Sequence, residues 1–440
     1  MKLRNGTWVG FIAAGMVGLL VGIGMSVNAD KNATASLPID DIRSLAQVIE
    51  HVKKSYVEEV DDQELLENAI DGMLAGLDPH STYLKAEDFS DLREDTSGKF
   101  GGLGIEVQMD ENGYVRVVAP IDETPAARAG ILAGDLVTFL DGEPVKGLSL
   151  SEAVDIMRGD PGDPIVLTVV RKGVNKPLQI KIVRDVIKVT SIKSEVMEDE
   201  FGYIRIRQFQ ERTGQDLVSA LKKLQKEAAL KGLVLDLRNN PGGVLSASVD
   251  VVDALISDGL IVYTEGRVAN SDSKYFATSK NPSNNLSLVV LINGGSASAS
   301  EIVAGALQDH KRGIIMGTQS FGKGSVQTIL PLSENRAIKL TTARYYTPNG
   351  RSIQAQGIVP DITVERAKLT RQSGADYYKE SDLNGHLDNP NGSDSAKEET
   401  STNEDDTDVV EEKPLSERDY QLYEALNLLK GIAIAQSLKI

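Results

Sequence analysis

Apolar residues change their spacing several times along the chain, and each change predicts a different kind of element. Residues 38–95 are predicted to be an N-terminal helical segment, because apolar positions recur every three or four residues over two stretches of it. Residues 97–185 alternate in short runs broken by glycine and proline, which predicts a small strand-rich domain. Residues 186–366 alternate between strand-like and helix-like segments, which predicts an α/β core with parallel strand pairs, completed by part of the N-terminal segment.

The individual elements follow from the same patterns. In the strand-rich region the predicted strands are Gly104–Met109, Tyr114–Val118, Asp135–Leu140 and Ile165–Val170, and the predicted helices are Ala126–Ala129 and Ser151–Met157. In the core the predicted strands are Tyr203–Ile206, Gly232–Leu237 and Leu288–Ile292, and the predicted helices are Gln215–Ala229, Ser246–Ser257 and Ser298–Asp309.

The N-terminus has the pattern of an export signal. Lys2 and Arg4 precede an uncharged, largely apolar stretch that ends at Ala29. Residues 1–29 are therefore predicted to be either a signal peptide cleaved before Asp30 or an uncleaved membrane anchor, since the apolar run approaches the roughly 20 residues that span a bilayer. Both alternatives predict an exported, periplasmic protein that is membrane-associated at most through this segment.

The C-terminal part has two contrasting regions. Residues 367–413 are polar and acidic, and such a composition buries too little apolar surface to offset its ordering entropy, so we expect a disordered linker. Residues 414–440 place apolar side chains on one helical face, which needs a docking surface. A second copy of the chain, in a dimer or higher homo-oligomer, and the chain's own core are the two alternatives.

Composition narrows the possible functions. The 440 residues are 41% hydrophobic and 25% charged, as in an ordinary globular protein. The formal net charge of -17 argues against nucleic acid as a partner, because such binding requires clustered lysine and arginine. The chain has no cysteine and only four histidines, which excludes disulfides and thiolate chemistry and leaves few imidazoles for catalysis.

The strand-rich region resembles a PDZ domain. Its first half carries the glycine-rich turn Phe100-Gly-Gly-Leu-Gly-Ile, and its second half begins at Ala126-Ala-Arg-Ala-Gly-Ile. Such a turn exposes consecutive backbone N–H groups that can hold a terminal carboxylate, and the strand after it offers an open edge to an extended peptide. The predicted peptide-binding residues are Gly102, Leu103, Gly104 and Ile105. A dinucleotide-binding loop is disfavoured, because a strand rather than a helix follows the glycines.

Two further segments carry candidate chemistry. In Asn293-Gly-Gly-Ser-Ala-Ser-Ala-Ser-Glu a buried strand ends in a glycine turn, and a helix begins at the serines, where free N–H groups favour a developing negative charge. Spacing alone does not separate a nucleophile from a helix cap here, or Ser298 from its neighbours. The segment Gly317-Thr-Gln-Ser-Phe-Gly-Lys-Gly is close in sequence to a phosphate-binding loop. Nucleotide binding is disfavoured, because Gly324 stands where serine or threonine is required and a strand-like run, not a helix, follows.

Taken together, the motifs resemble the carboxy-terminal processing proteases, or tail-specific proteases. The resemblance runs through Leu77-Asp-Pro-His-Ser-Thr-Tyr-Leu, the PDZ-like region, Asp236-Leu-Arg-Asn-Asn-Pro-Gly-Gly, Ser296-Ala-Ser-Ala-Ser-Glu and Phe321-Gly-Lys-Gly-Ser-Val-Gln. It implies a crotonase-like ββα core with an inserted PDZ domain and helical N- and C-terminal segments. It also implies that Ser298 is the nucleophile, Lys323 the general base and Gln327 the residue that orients the lysine.

The chemistry of a serine/lysine dyad sets further expectations. Lowering a lysine pKa from about 10.4 to about 7 requires roughly 4 to 5 kcal/mol, which burial supplies, so Lys323 should lie in a largely apolar pocket. The N–H of Ala299 is an expected oxyanion donor. The resemblance implies a second donor at Gly242 or Gly243. Asp309 matches an acidic position of the family, although a structural role at the helix end is an equal alternative.

These expectations define one leading function and two alternatives. The leading hypothesis is a serine endopeptidase, without metal or cofactor, that binds protein C-termini on its PDZ domain and cleaves them through an acyl-enzyme. Arg158 is a candidate for the residue through which that domain gates the dyad, and a surface ion pair is the alternative role. The resemblance also implies a helical-repeat adaptor protein as a candidate partner. The alternatives are a non-catalytic PDZ scaffold and an acyl-CoA hydratase-like enzyme, which should have no PDZ domain.

Overall fold

The computed structural model describes residues 38–121, 123–268, 272–278, 282–283, 285–367, 379–380, 383–387 and 414–438. The predicted export segment and most of the predicted acidic linker lie outside these ranges. The chain divides into two units, residues 1–73 and 74–440. In the described part of the chain, no helix is both long enough and apolar enough to span a membrane.

The described part of the first unit, residues 38–73, is mostly helical, as the apolar spacing predicts. It contains α1 (Ile39–Ser55) and most of α2 (Asp62–Ala75). Acidic residues occupy the first turn of α1 and lysines its last turn, which suits the helix dipole. Apolar residues of α1 such as Ile42 and Leu45 remain exposed.

The PDZ-like region of the second unit forms an antiparallel sheet with the strand order β3-β4-β5-β7-β8 and β6 paired to β5. Its strands are β3 (Ile105–Met109), β4 (Val115–Pro120), β5 (Leu136–Leu140), β6 (Glu143–Pro144), β7 (Pro164–Val170) and β8 (Leu178–Val183), and its helices are α4 (Pro125–Arg128) and α5 (Leu150–Met157). Before this region lies α3 (Ala86–Ser97), and a two-stranded sheet of β2 (Lys99–Gly102) and β9 (Asp185–Lys188) flanks it. The four predicted strands and both predicted helices are confirmed within a few residues.

The α/β core is built on a six-stranded sheet with the order β10-β11-β12-β15-β16-β19. Its strands are β10 (Ile192–Met197), β11 (Phe201–Ile206), β12 (Gly232–Asp236), β15 (Ser287–Ile292), β16 (Ile314–Gly317) and β19 (Ile362–Thr363), and its helices are α6 (Thr213–Glu227), α7 (Leu245–Asp253) and α8 (Ala299–Asp309). Within this sheet, neighbouring strands pair in parallel from β11 through β12, β15 and β16 to β19, which confirms the predicted parallel core.

Side chains of the central strands are buried on both faces. Residues such as Ile204 and Leu235 pack against α6, α7 and α8, whereas their neighbours Tyr203 and Val234 belong to the cluster on the opposite face. Burial on both faces explains why these strands are almost continuously apolar in sequence.

A second sheet brings distant parts of the chain together. Its strands are β1 (Thr82–Leu84), β13 (Leu260–Gly266), β14 (Ser273–Phe276), β17 (Ser325–Ser333) and β18 (Arg336–Tyr346). The order is β1-β18-β13-β14, and β17 also pairs with β18. Because β1 precedes the PDZ-like region and β18 lies between β16 and β19 of the core in sequence, this sheet connects the segment after α2 to the core.

The C-terminal helices α9 (Leu415–Arg418) and α10 (Tyr420–Ser437) pack on the free face of the core sheet. Leu426 and Leu429 are fully buried there. Asp419 caps α10 and accepts two hydrogen bonds from Arg238, each 2.7 Å long. Burial raises the pKa of Asp419, but the Arg238 hydrogen bonds outweigh it and leave the pKa below its ordinary value. The helix therefore docks on the chain's own core, and a dimer remains a prediction.

Removing a buried side chain of α10 should test how much this docking contributes to stability. We expect Leu426→Ala to lower the free energy of unfolding by about 2 to 5 kcal/mol, because Leu426 is fully buried and the substitution leaves a cavity. Ile434, which is 60% exposed on the same helix, provides the control, and Ile434→Ala should cost less than about 1 kcal/mol. Urea unfolding followed by circular dichroism measures both, and equal losses would contradict the docked arrangement.

Candidate active site

Ser298 lies at a strained turn between β15 and α8. Its backbone has φ 55° and ψ -114°, a left-handed conformation that costs a non-glycine residue about 1 to 3 kcal/mol. The turn is contacted from both sides. The Ala297 N–H donates to the Asn240 carbonyl at 3.0 Å, and the Tyr345 hydroxyl lies between the Ser298 carbonyl, at 3.1 Å, and the Lys323 carbonyl. Such strained turns expose a nucleophile at the carboxyl edge of an α/β sheet.

The structure separates the three serines that the sequence leaves equivalent. The hydroxyl of Ser296 is buried and donates to the Leu237 carbonyl at 2.8 Å. The hydroxyl of Ser300 is buried and donates to the Asn240 carbonyl at 2.9 Å. Ser298 is half-buried and lines a cavity of about 470 Å³. Only Ser298 of the three is therefore accessible to a ligand in that cavity.

Lys323 lines the same cavity from the loop before β17. Burial is the main cause that lowers its pKa, and the positive charge of Lys339 acts in the same direction. Asp78 and Glu301 oppose this effect, but the pKa remains below the ordinary value of 10.5. In this structure, no hydrogen bond joins the Lys323 amine to the Ser298 hydroxyl. Such bonds are often long in ligand-free enzymes and tighten when substrate binds.

Gln327 also lines the cavity, on β17. Its amide nitrogen donates to the Ser325 hydroxyl at 3.0 Å and to the Thr341 hydroxyl at 3.2 Å. Its amide oxygen has no partner among the described residues, and no hydrogen bond links it to Lys323 in this structure. The oxygen is therefore available to accept a hydrogen bond.

Glu301 connects the serine turn to the lysine loop, and the sequence reasoning assigned it no role. Its carboxylate is fully buried on α8. One oxygen accepts the N–H of Ser298 at 2.8 Å and the N–H of Lys323 at 2.9 Å. The other accepts the Ser320 hydroxyl and the Gly322 N–H, both at 2.6 Å. Burial raises the pKa of Glu301, and these four donors oppose the rise.

The candidate oxyanion donors meet beside Ser298. The N–H groups of Ala299 and Gly243 have no acceptor among the described residues. The Gly242 N–H instead donates to the Asn240 side chain at 2.9 Å, so it is already engaged. A Cβ at Gly242 would lie 2.8 Å from the Ser298 Cβ, which explains why glycine is needed there. The geometry therefore favours Gly243 over Gly242 as the partner of Ala299.

Asp309 does not line the cavity. It ends α8, where its buried carboxylate accepts the Asn349 N–H at 2.9 Å and pairs with Arg351. These contacts support a structural role for Asp309 at the end of α8. His310, next in the chain, lies against the Leu260 carbonyl at 2.7 Å.

The predicted peptide-binding residues lie at one edge of the PDZ-like sheet. Gly102 ends β2 and Ile105 begins β3, which is an edge strand. Between them, Leu103 is buried and Gly104 has φ 77°, a conformation that favours glycine. The open edge of β3 has the geometry that an added peptide strand requires.

Arg158 links the PDZ-like domain to the helix that precedes it. Its guanidinium donates to the Glu94 carboxylate of α3 at 3.0 Å and lies 5.1 Å from the centre of the Phe100 ring. Residues Leu92, Asp95 and Thr96 on the same helix line the cavity. One helix therefore contacts both the PDZ-like domain and the cavity.

A hydroxyl on a strained turn, an amine of lowered pKa and two N–H groups without an acceptor among the described residues line one cavity, and these are the groups that a serine hydrolase uses. The comparisons with known proteins narrow this class. Residues 200–364 match Peptidase family S41, residues 101–182 match the PDZ domain, and residues 23–88 match the Activating protease CtpB N-terminal domain.

Similar proteins are found among both sequences and solved structures. The chain is 52% identical to the carboxy-terminal-processing protease of Bartonella bacilliformis over 388 residues, 87% of either chain. It is 34% identical to the carboxy-terminal processing protease CtpA of Bacillus subtilis, over 77% of this chain and 72% of that one. A solved photosystem II D1 C-terminal processing protease is 31% identical over 73% of this chain and 92% of that one, with a TM-score of 0.43.

The chain belongs to the carboxy-terminal processing proteases of peptidase family S41. It is a serine-type protease with a PDZ domain. The resemblance stated from the sequence motifs and the predicted fold class are confirmed. The acyl-CoA hydratase-like alternative is excluded by the PDZ domain.

Neutralising Glu301 should disconnect the serine turn from the lysine loop. In Glu301→Gln an NH₂ group replaces one acceptor oxygen, so buried N–H donors lose their partner, and we expect a loss of about 2 to 4 kcal/mol in unfolding free energy together with most of the activity. Glu152→Gln is the matched control, because Glu152 makes a similar capping contact with the Ser149 N–H but is exposed, so its loss should be much smaller. Denaturant unfolding and peptide cleavage measure these effects.

Proposed function

We propose that this protease cleaves proteins near their C-termini through an acyl-enzyme on Ser298, with Lys323 as the general base. The observation that carries the proposal is the shared cavity, where the accessible hydroxyl of Ser298 and the half-buried amine of Lys323 lie with Gln327. The names of the carboxy-terminal-processing relatives support this substrate class.

The reaction proceeds in two halves. Neutral Lys323 takes the proton of the Ser298 hydroxyl while the oxygen attacks the peptide carbonyl carbon, and the resulting oxyanion is held by the N–H groups of Ala299 and Gly243. Protonated Lys323 returns the proton to the leaving amine as the peptide C–N bond breaks. Water then attacks the acyl-enzyme, again losing a proton to Lys323, and Ser298 is released with its hydroxyl restored.

Lysine performs this role only when it is uncharged. Burial of Lys323 disfavours its charged form, which is the physical basis of the lowered pKa. Gln327 suits the site because an amide oxygen can accept a hydrogen bond from the amine without adding a negative charge. A carboxylate at that position would raise the pKa and weaken the base.

The PDZ domain is proposed to select the substrate. A C-terminal tail would add as a strand to the open edge of β3, with its carboxylate at the N–H groups of the turn formed by Gly102, Leu103 and Gly104. Arg158 supports a gating role, because it joins this domain to the helix whose other residues line the cavity. Tail binding would then act on the cavity through α3.

Removing either member of the dyad should abolish cleavage without abolishing tail binding. We expect Ser298→Ala and Lys323→Ala to lose cleavage of an unfolded protein by at least about 1,000-fold, since each removes a group needed for bond formation. Gel analysis and mass spectrometry of the products measure cleavage. A fluorescent tail peptide should bind both variants as it binds the wild type, and the same peptide with an amidated C-terminus should bind more weakly.

This experiment also separates the protease from a PDZ scaffold. Cleavage that persists in Ser298→Ala would exclude the proposed nucleophile. A scaffold would bind the tail peptide with no Ser298-dependent cleavage of any unfolded substrate.

The pH dependence should report the charge on Lys323. The free amine is the active form, so kcat/KM should rise with pH along an acid limb whose midpoint lies below the ordinary lysine pKa of 10.5. Lys323→Arg should be inactive at every pH, because a guanidinium stays protonated. A pH profile with its midpoint at the ordinary lysine value, or activity in the arginine variant, would contradict the assignment.

We also propose an exported, periplasmic enzyme that forms homo-oligomers and accepts a helical-repeat adaptor. The apolar stretch after Lys2 and Arg4 supports export, as a signal peptide or an anchor. The exposed apolar residues of α1 support self-association. Cell fractionation and light scattering test these points, and a cytoplasmic, monomeric enzyme would contradict them.

A further inference from the structure

We infer that Asp78 and Thr341 are positioning residues that fix the direction of the Gln327 side-chain amide, so that its oxygen faces Lys323. This inference rests on the proposed dyad and adds to it a chain of hydrogen bonds that lies behind Gln327. Neither Asp78 nor Thr341 lines the cavity.

The contacts form a continuous path. Thr341 lies directly opposite Gln327 in the pairing of β17 with β18. The Gln327 amide nitrogen donates to the Thr341 hydroxyl at 3.2 Å, and that hydroxyl donates to the Asp78 carboxylate at 3.1 Å. The Ser81 hydroxyl accepts the Thr341 N–H at 3.1 Å, so the turn before β1 is held against the same residue.

Asp78 is fixed as an acceptor. Its carboxylate also accepts the N–H of His80 at 2.8 Å and the hydroxyl of Ser81 at 2.7 Å. Burial raises the pKa of Asp78, but the hydrogen bonds outweigh this effect and leave the pKa below its ordinary value of 3.8. The group is therefore ionised at neutral pH and has no hydrogen to donate.

The direction of every bond in the path follows from that charge. The Thr341 hydroxyl has one hydrogen, and it must go to Asp78. Thr341 can then only accept from Gln327, so the amide nitrogen must face Thr341. With its nitrogen held by Thr341 and Ser325, the remaining polar atom of Gln327 is its oxygen, which has no partner among the described residues.

The orientation of the Gln327 amide matters because the Lys323 amine needs a hydrogen-bond acceptor beside it. A neutral amine that offers its lone pair to Ser298 can be aimed by donating one N–H to a neighbouring oxygen. An inverted amide would present an NH₂ group instead, which cannot accept that bond. The turn Leu77-Asp-Pro-His-Ser thus determines which atom of Gln327 faces the base, although it lies outside the cavity.

Thr341→Val tests the path with almost no change in side-chain size. We expect kcat to fall up to about 100-fold, the effect of misplacing a catalytic group by about 1 Å, with KM nearly unchanged. Thr341→Ser keeps the hydroxyl and should recover most of the lost kcat. The matched control is Thr342→Val, because the Thr342 hydroxyl pairs with Thr328 at 2.7 Å instead of Gln327, and its kcat should equal that of the wild type.

Asp78→Asn supplies a readout that a purely structural role would not change. Asparagine can donate, so the amide of Gln327 is no longer fixed and kcat should fall. The negative charge of Asp78 favours protonated Lys323, so its loss should also shift the acid limb of kcat/KM to lower pH. The other charged groups around Lys323 are Lys339 and Glu301, with His80 on the same turn as Asp78, and they are unchanged in this variant. Thr341→Val keeps the Asp78 charge and should leave that limb in place.

The outcomes distinguish this inference from the proposed function. Cleavage by Ser298→Ala would overturn the dyad itself. An inactive Ser298→Ala variant combined with equal kcat values for Thr341→Val and Thr342→Val would leave the dyad standing and overturn the positioning role. Thermal unfolding of each variant identifies misfolding. If Thr341→Val is unstable, the kcat of Asp78→Asn decides, and an unchanged kcat overturns the inference whether or not the acid limb shifts.

Discussion

The candidate active site depends on the hydrogen bonds that the Glu301 carboxylate accepts. One of its oxygens accepts the backbone N–H of both Ser298 and Lys323, so the two residues are related through their main chains before either side chain adopts a rotamer. Because the carboxylate is fully buried, losing one partner would leave a desolvated charge or donor behind. The serine turn and the lysine loop are therefore held together by one buried side chain, as a single unit of the site.

The core sheet places the remaining groups around that unit. Strands β12 and β15 are parallel neighbours, so the turns that follow them meet at one edge of the sheet. The first of these turns provides Gly243, and the second provides Ser298. Strand β18 then brings Thr341 opposite Gln327 and joins both to Asp78. Three segments that are far apart in sequence thus surround one cavity, and α3 extends its wall towards the PDZ domain.

Local patterns predicted the elements well and the roles of single residues less well. The PDZ strands and the parallel core were predicted because the apolar period directly reflects which faces are buried. Periodicity did not separate Ser298 from Ser296 and Ser300, since all three share one turn and differ only in their tertiary partners. Glu301 and Asp78 stand in recognised motifs, yet their roles depend on contacts that leave no periodic signal.

The sequence by itself determined the order of the elements, the PDZ resemblance, the protease family and the candidates Ser298, Lys323 and Gln327. The elements followed from strand and helix periods and glycine turns, which are local properties of the chain, whereas the family and these three candidates were implied by the resemblance of the motifs. Tertiary structure decided that the Gly243 N–H has no acceptor among the described residues, that α10 docks on its own core, and how the Gln327 amide is oriented. Those outcomes depend on hydrogen bonds and packing between residues as far apart as Asp78 and Thr341, which only the folded chain brings together.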